Sequence, residues 1–260
     1  MNDAPIAVFD SGLGGLSVWR ELRRKLPRES LCYFGDGKHC PYGPKPREEV
    51  IGYVDEAVRM LLGRGAKMVV VACNAATAAA IDYLRARYEV PFVGMEPAVK
   101  PAALSSESGV IGVLATAGTL KGRLYRETAA RYAGRVKILE AVGEGFVELV
   151  EAHREESPEA VDTVRRVVEP MLEAGADRIV LGCTHYPFLT GALRRVIGDR
   201  RVTLVDPAPA VERRVAQLLE ERGLAAGESH VPEYGFFTAS DEAYRLGIVS
   251  KSEQALRLDL

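Results

Sequence analysis

Met68-Val69-Val70-Val71-Ala72-Cys73-Asn74-Ala75-Ala76-Thr77 is an apolar, β-branched run that stops abruptly at a cysteine and a helix-starting residue. β-Branched side chains suit a buried pleated strand, and the switch to Asn followed by alanines marks a helix. Arg178-Ile179-Val180-Leu181-Gly182-Cys183-Thr184-His185-Tyr186-Pro187 repeats the pattern in the other half of the chain. The expected cap after each cysteine is Asn74 or Thr184, which would put each sulfur near a helix N-terminus, where the dipole favours thiolate.

Outward from these two stretches, apolar runs alternate with amphipathic helices. Strands are expected at 6–10, 31–34, 68–72 and 90–94, with helices to Leu26, over 47–64 and to Tyr88. The Cys40-Pro41-Tyr42-Gly43-Pro44-Lys45-Pro46 segment carries three prolines and reads as an irregular loop. Residues 97–109 read as a crossover. The pattern then restarts with a strand at 110–115, a helix over 121–132, a strand at 136–142 and helices over 146–156 and 158–173. After the Cys183 strand come a helix over 188–197 and a strand at 202–205. A helix over 210–224, a strand at 234–238 and a terminal helix complete the chain, and this tail could return to either unit. The class is α/β with open parallel sheets covered on both faces.

The chain has 260 residues, with 34 basic against 36 acidic side chains, so its charge points to neither nucleic acid nor an anionic membrane. No run approaches the roughly 18 apolar residues of a membrane span, and no signal-peptide pattern opens the chain, so a cytoplasmic location is expected. Four cysteines do not make a disulfide framework. Cys32, inside an apolar run, reads as packing. Cys40 with His39 lacks zinc-pair spacing, and no metal site is expected.

Ligands bind open parallel sheets at the carboxyl ends of the strands. Asp10, Asp36, Cys73, Thr116 and Cys183 all fall at such ends. A single buried cysteine usually packs, but two in matched units, each beside a polar residue, suit a pair of acid/base groups. One would remove a proton from a carbon and the other supply one to its opposite face, inverting the stereocentre. His185, two residues beyond Cys183, is a natural proton partner. Ser11, Asn74, Thr116, Thr119 and Thr184 are polar groups able to stabilise charge. No lysine stands in an evident Schiff-base context, so no pyridoxal cofactor is indicated.

These residues resemble a known family. Phe9-Asp10-Ser11-Gly12-Leu13-Gly14-Gly15, the Pro41-Tyr42-Gly43 loop, Ala72-Cys73-Asn74, Gly118-Thr119 and Leu181-Gly182-Cys183-Thr184-His185-Tyr186-Pro187 are similar, in order and spacing, to the signatures of bacterial glutamate racemase. The resemblance implies two pseudosymmetric α/β domains, 1–97 with 208–260 and 98–207, with the active site at their interface. It implies cofactor-independent interconversion of L- and D-glutamate, supplying D-glutamate to peptidoglycan synthesis, often by a homodimer. Cys73 would act on D-glutamate with help from Asp10, and Cys183 on L-glutamate with help from His185. Asp10, Ser11, Tyr42, Gly43, Asn74, Thr116, Thr119, Thr184 and His185 fall on substrate positions. Ala75 replaces a common Thr, leaving a backbone N–H to serve there. Gly143-Glu144 replaces a frequent Cys-Pro ahead of Glu151, a position sometimes given acid/base support. Asp36 and Glu151 are therefore also candidates.

Aspartate racemase fits the cysteine motifs too, whereas a decarboxylating relative would need one thiol only. Gly12, Gly14 and Asp36 imitate a dinucleotide fingerprint, but Ser17 occupies the third glycine position and Asp10 would repel a pyrophosphate. A non-catalytic ligand-binding protein leaves the paired thiols without a reason.

Overall fold

The computed structural model describes residues 2–241 and residue 247. The expected terminal helix lies outside them. Two compact units partition the chain, Met1–Met95 with Ala208–Leu260 and Glu96–Pro207.

In the first unit, β1 (Ile6–Asp10), α1 (Leu16–Lys25), β2 (Leu31–Gly35), α2 (Arg47–Gly63), β3 (Met68–Val71), α3 (Asn74–Arg87) and β4 (Phe92–Gly94) follow in order. The second unit runs through α4 (Val99–Ser105), β5 (Val110–Ala115), α5 (Ala117–Lys121), α6 (Arg123–Tyr132), β6 (Lys137–Val142), α7 (Phe146–Glu151), α8 (Pro158–Glu173) and β7 (Arg178–Gly182). A 3-10 turn (Tyr186–Leu189), α9 (Thr190–Ile197) and β8 (Thr203–Val205) end it. The chain then returns to the first unit with α10 (Ala208–Glu221), which packs on α1, and β9 (Tyr234–Thr238), which pairs with β2.

Every pairing is parallel, in the order β4-β3-β1-β2-β9 in one sheet and β6-β5-β7-β8 in the other. Read from the opposite edge, the second order is β8-β7-β5-β6, the same topology as β4-β3-β1-β2. In each sheet the first strand's two neighbours are reached in opposite directions, which opens a crevice at the carboxyl ends of β1 and β3, and of β5 and β7. Burial follows position in the sheet. Central β1 is buried along its whole length, while Lys137, Glu140 and Val142 of edge strand β6 are exposed.

Several expected boundaries shift for local reasons. The 97–109 crossover contains α4, because Pro101 falls in its first turn, where no intrahelical N–H is required. The 121–132 helix begins after Gly122, as α6, and a short helix not expected from the sequence, α5, precedes that glycine. The 188–197 helix begins instead as the 3-10 turn around Pro187. Ser157 caps α8, accepting the Ala160 N–H at 3.2 Å ahead of Pro158.

At the amino ends of the first sheet, Lys67 Nζ lies 2.6 Å from Glu29, with side chains 1% and 6% exposed. Lys67 also donates to the Asn2 carbonyl, and Glu29 accepts the Ala226 N–H at 2.9 Å. The pair thus ties the chain's first residues, the starts of β2 and β3, and the segment after α10. Lys67→Ala would leave a buried carboxylate uncompensated, and urea titration should show a loss of about 3–5 kcal/mol; a loss below about 1 kcal/mol would refute the tie.

Cys32 pairs in register with Ala7 between β1 and the sheet edge, and burial pushes its thiol from 9.0 up to about 12, partly offset by Arg64. Above pH 9 the unfolded chain loses a proton that the folded chain keeps, so stability is full below that pH and falls toward pH 12 by about 1.4 kcal/mol per unit per such group. Cys32→Ala should flatten the decline in denaturant midpoint across that window; an unchanged slope would count against it.

Candidate functional site

In the first unit, the buried residues of β1 end at Asp10, which has no exposed surface. Its Oδ2 accepts the N–H groups of Gly12 at 3.2 Å and Gly15 at 2.9 Å, folding the glycine-rich turn back on the strand end. Gly15 is required there, since a Cβ would lie 2.7 Å from that of Asp10. Tyr33 closes the turn by donating to the Gly12 carbonyl at 2.6 Å. These amides are the ones a dinucleotide's pyrophosphate would need, and a buried carboxylate holds them.

The turn brings Ser11 Oγ to 3.5 Å from Cys73 Sγ. Cys73, rather than Asn74, is the N-cap of α3: its backbone is extended and its sulfur accepts the Ala76 N–H at 3.5 Å. A cap must have a non-helical backbone, and the cysteine is the last residue to keep the strand's extended form. The N–H aimed at the sulfur favours negative charge on it. Asn74 is already the first helical residue. Its Nδ2 donates to the Met95 carbonyl at 3.4 Å, and its buried Oδ1 has no partner among the described residues. The N–H groups of Asn74 and Ala75 precede the first intrahelical bond, from Thr77 N–H to the Cys73 carbonyl, so a ligand oxygen can take them.

Tyr42 and Gly43 are buried on the loop after β2. The Tyr42 ring packs on Phe9, and its hydroxyl donates to Asp36 Oδ2 at 2.6 Å. Burial, then the Asp36 carboxylate, raise the phenol's pKa far above its usual value, so it stays protonated; the charges of Cys73 and Asp10 add to the same effect.

In the second unit, Thr116 caps α5 and joins hydroxyls with buried Thr119 at 3.0 Å. Thr184, expected as a cap, instead sits in the turn before the 3-10 segment, whose N-cap is His185 with no side-chain cap bond. The Gly182-to-Pro187 segment turns too tightly for an α-helix to start beside Cys183. Its sulfur has a different neighbour, His185 Nδ1 at 3.8 Å. His185 Nε2 in turn lies 2.5 Å from Glu151 Oε1, at the end of α7. Cys183, His185 and Glu151 form a thiol, imidazole and carboxylate series in which the carboxylate orients the ring.

The sequence-derived candidates thus group within their own units. Asp10, Ser11, Asp36, Tyr42, Gly43, Cys73, Asn74 and Ala75 lie in the first; Thr116, Thr119, Glu151, Cys183, Thr184 and His185 lie in the second. Tyr186, in the same motif as Cys183 and His185, had no role assigned by the sequence. It is fully buried, its phenol's pKa is raised by burial and then by the Cys183 charge, and its hydroxyl lies 2.5 Å from where a Cβ on Gly143 would fall. Glycine at position 143 therefore has a steric reason.

The family model for Asp/Glu/Hydantoin racemase matches residues 17–215. The glutamate racemase of Deinococcus radiodurans is 48% identical over 92% of this chain and 83% of its own. That of Herpetosiphon aurantiacus is 43% identical over the full length of both. A crystal structure of Escherichia coli glutamate racemase, in complex with L-glutamate and the activator UDP-MurNAc-Ala, aligns with a TM-score of 0.87 at 32% identity, covering 98% of this chain and 97% of that one. With both cysteine-bearing strands inside the matched region, the chain belongs to the Asp/Glu/Hydantoin racemase family.

Proposed function

We propose that this chain is an isomerase that interconverts L- and D-glutamate without a cofactor, using Cys73 and Cys183 as its two acid/base groups. The observation that carries this reading is that each unit ends a parallel strand in a buried thiol, in no disulfide, beside its own proton-handling or charge-stabilising partner. The glutamate specificity rests on the relatives, which match over nearly the whole chain.

The chemistry follows from the partners. An amino acid's α-proton is far less acidic than a thiol, so the base must be a thiolate and the developing negative charge must meet fixed donors. On the Cys73 side, the Ala76 N–H and Ser11 hydroxyl stabilise the thiolate. Asp10 holds the turn that delivers Ser11. On the Cys183 side, the imidazole exchanges the proton and Glu151 holds the ring. Cys73 takes the proton from D-glutamate and Cys183 from L-glutamate, each returning it as acid in the reverse direction. Asn74 Oδ1 is an acceptor suited to the substrate ammonium, and the open N–H groups of Asn74 and Ala75 suit a carboxylate. Tyr42, Gly43, Thr116, Thr119 and Thr184 supply further contacts. The product feeds peptidoglycan synthesis in the cytoplasm, and the enzyme works as a homodimer. No helix among the described residues is long and apolar enough to cross a membrane.

Purified protein with no added cofactor should racemise L-glutamate, followed by circular dichroism, faster than L-aspartate. Faster turnover of aspartate would overturn the substrate assignment. Cys73→Ala and Cys183→Ala should each lower the rate by at least about 10²–10⁴-fold; wild-type racemisation by either would end the two-base scheme. In deuterium oxide the product should carry solvent deuterium at Cα early in the reaction while remaining substrate carries little. Equal labelling of both pools would indicate a single shared base.

A further inference from the structure

Asp36 is a buried carboxylate whose charge needs more than one donor. Tyr42 supplies one. The second is His39, whose Nδ1 lies 2.9 Å from both Asp36 oxygens. To donate to a carboxylate, Nδ1 must carry the ring's proton. The His39 ring lies flat against Tyr53 of α2, with centroids 4.0 Å apart and planes at 12°. Tyr53 is fixed in turn, its hydroxyl donating to Glu49 at 2.8 Å. Lys45, from the loop itself, reaches Glu49 at 3.5 Å and stands 5.9 Å from the Tyr53 ring centroid.

We propose that His39 is a positioning residue for Tyr42, acting through Asp36, with Tyr53 as the platform that holds the imidazole. It rests on the reading above in which Tyr42 touches substrate. The series Glu49, Tyr53, His39, Asp36, Tyr42 runs from the exposed side of α2 to the carboxyl end of β2, every link a hydrogen bond or ring stack. Without the imidazole, Asp36 has one donor side chain and is free to rotate about its Cβ–Cγ bond. The Tyr42 hydroxyl, which is bound to it, then loses its fixed position, and Gly43 moves with it. The three prolines of this loop hold its backbone but cannot orient a phenol.

Steady-state kinetics on the full-length enzyme separate this role from simple structural support. His39→Ala should raise KM for glutamate about tenfold, the effect of losing one charge-assisted hydrogen bond, with a smaller change in kcat. His39→Arg should bring KM back to within about twofold of the original, because a guanidinium both pairs with a carboxylate and stacks on an aromatic ring. In a Tyr42→Phe background His39→Ala should add less than about twofold, since the two changes act on one contact. A full additional loss in that background, or no rescue by arginine, would overturn the proposal. Tyr42→Phe raising KM while His39→Ala leaves it unchanged would overturn the positioning alone. An unchanged KM in Tyr42→Phe itself would instead remove Tyr42 as a substrate contact.

Discussion

Parallel pairing of β1 with β3, and of β5 with β7, is the constraint on which the rest of the molecule depends. A parallel strand can be re-entered only at its amino end, so every connection must cross back along the sheet, and all carboxyl ends fall on one edge. Because successive connections from β1 and from β5 run to opposite sides, each sheet leaves one crevice that no connection covers. Asp10 and Cys73 end the strands flanking one crevice, and Thr116 and Cys183 those flanking the other. The opposite edge of the first sheet holds the buried Lys67–Glu29 pair.

The equal topology of the units makes their chemical differences easy to read. Cys73 and Cys183 stand at equivalent strand ends, yet Cys73 caps a long α-helix and Cys183 enters a tight 3-10 turn. One sulfur therefore meets a backbone N–H and a serine hydroxyl, the other an imidazole backed by a carboxylate. Asp10 and Thr116 are likewise equivalent in position and different in use, one organising a turn and the other a helix start.

Two buried polar groups, one in each unit, are held by neighbours that are themselves ordered by packing. Asp36 is satisfied by Tyr42 and His39, and His39 is held by Tyr53. His185 is held by Glu151. Asn74 Oδ1, like Trp19 Nε1 and the Tyr186 hydroxyl, is buried with no partner among the described residues, and of these it is the one next to Cys73 in the chain.

Strand-forming runs such as Met68–Val71 and Arg178–Gly182 were legible in the sequence because a strand buried on both faces must be apolar at every position, and a cysteine ending such a run stands out. The resemblance to a family added residue roles that spacing could not, including Tyr42 and Glu151. What the chain alone left open was decided by contacts distant in sequence or by backbone angle. Whether Cys73 or Asn74 caps α3 depends on which residue keeps extended φ and ψ. The helix inside 97–109 was hidden by Pro97, which precedes its N-cap, and by Pro101, whose cost is small in the first turn. The spacing of His39 from the cysteines gave no reason to expect a metal ligand, and its partner on α2 emerges only when helix and loop pack together. The sequence by itself determined the α/β class and the two thiols, since periodicity and residue type are local properties. Tertiary structure alone decided what each thiol touches, since burial and hydrogen-bond geometry belong to the folded chain as a whole.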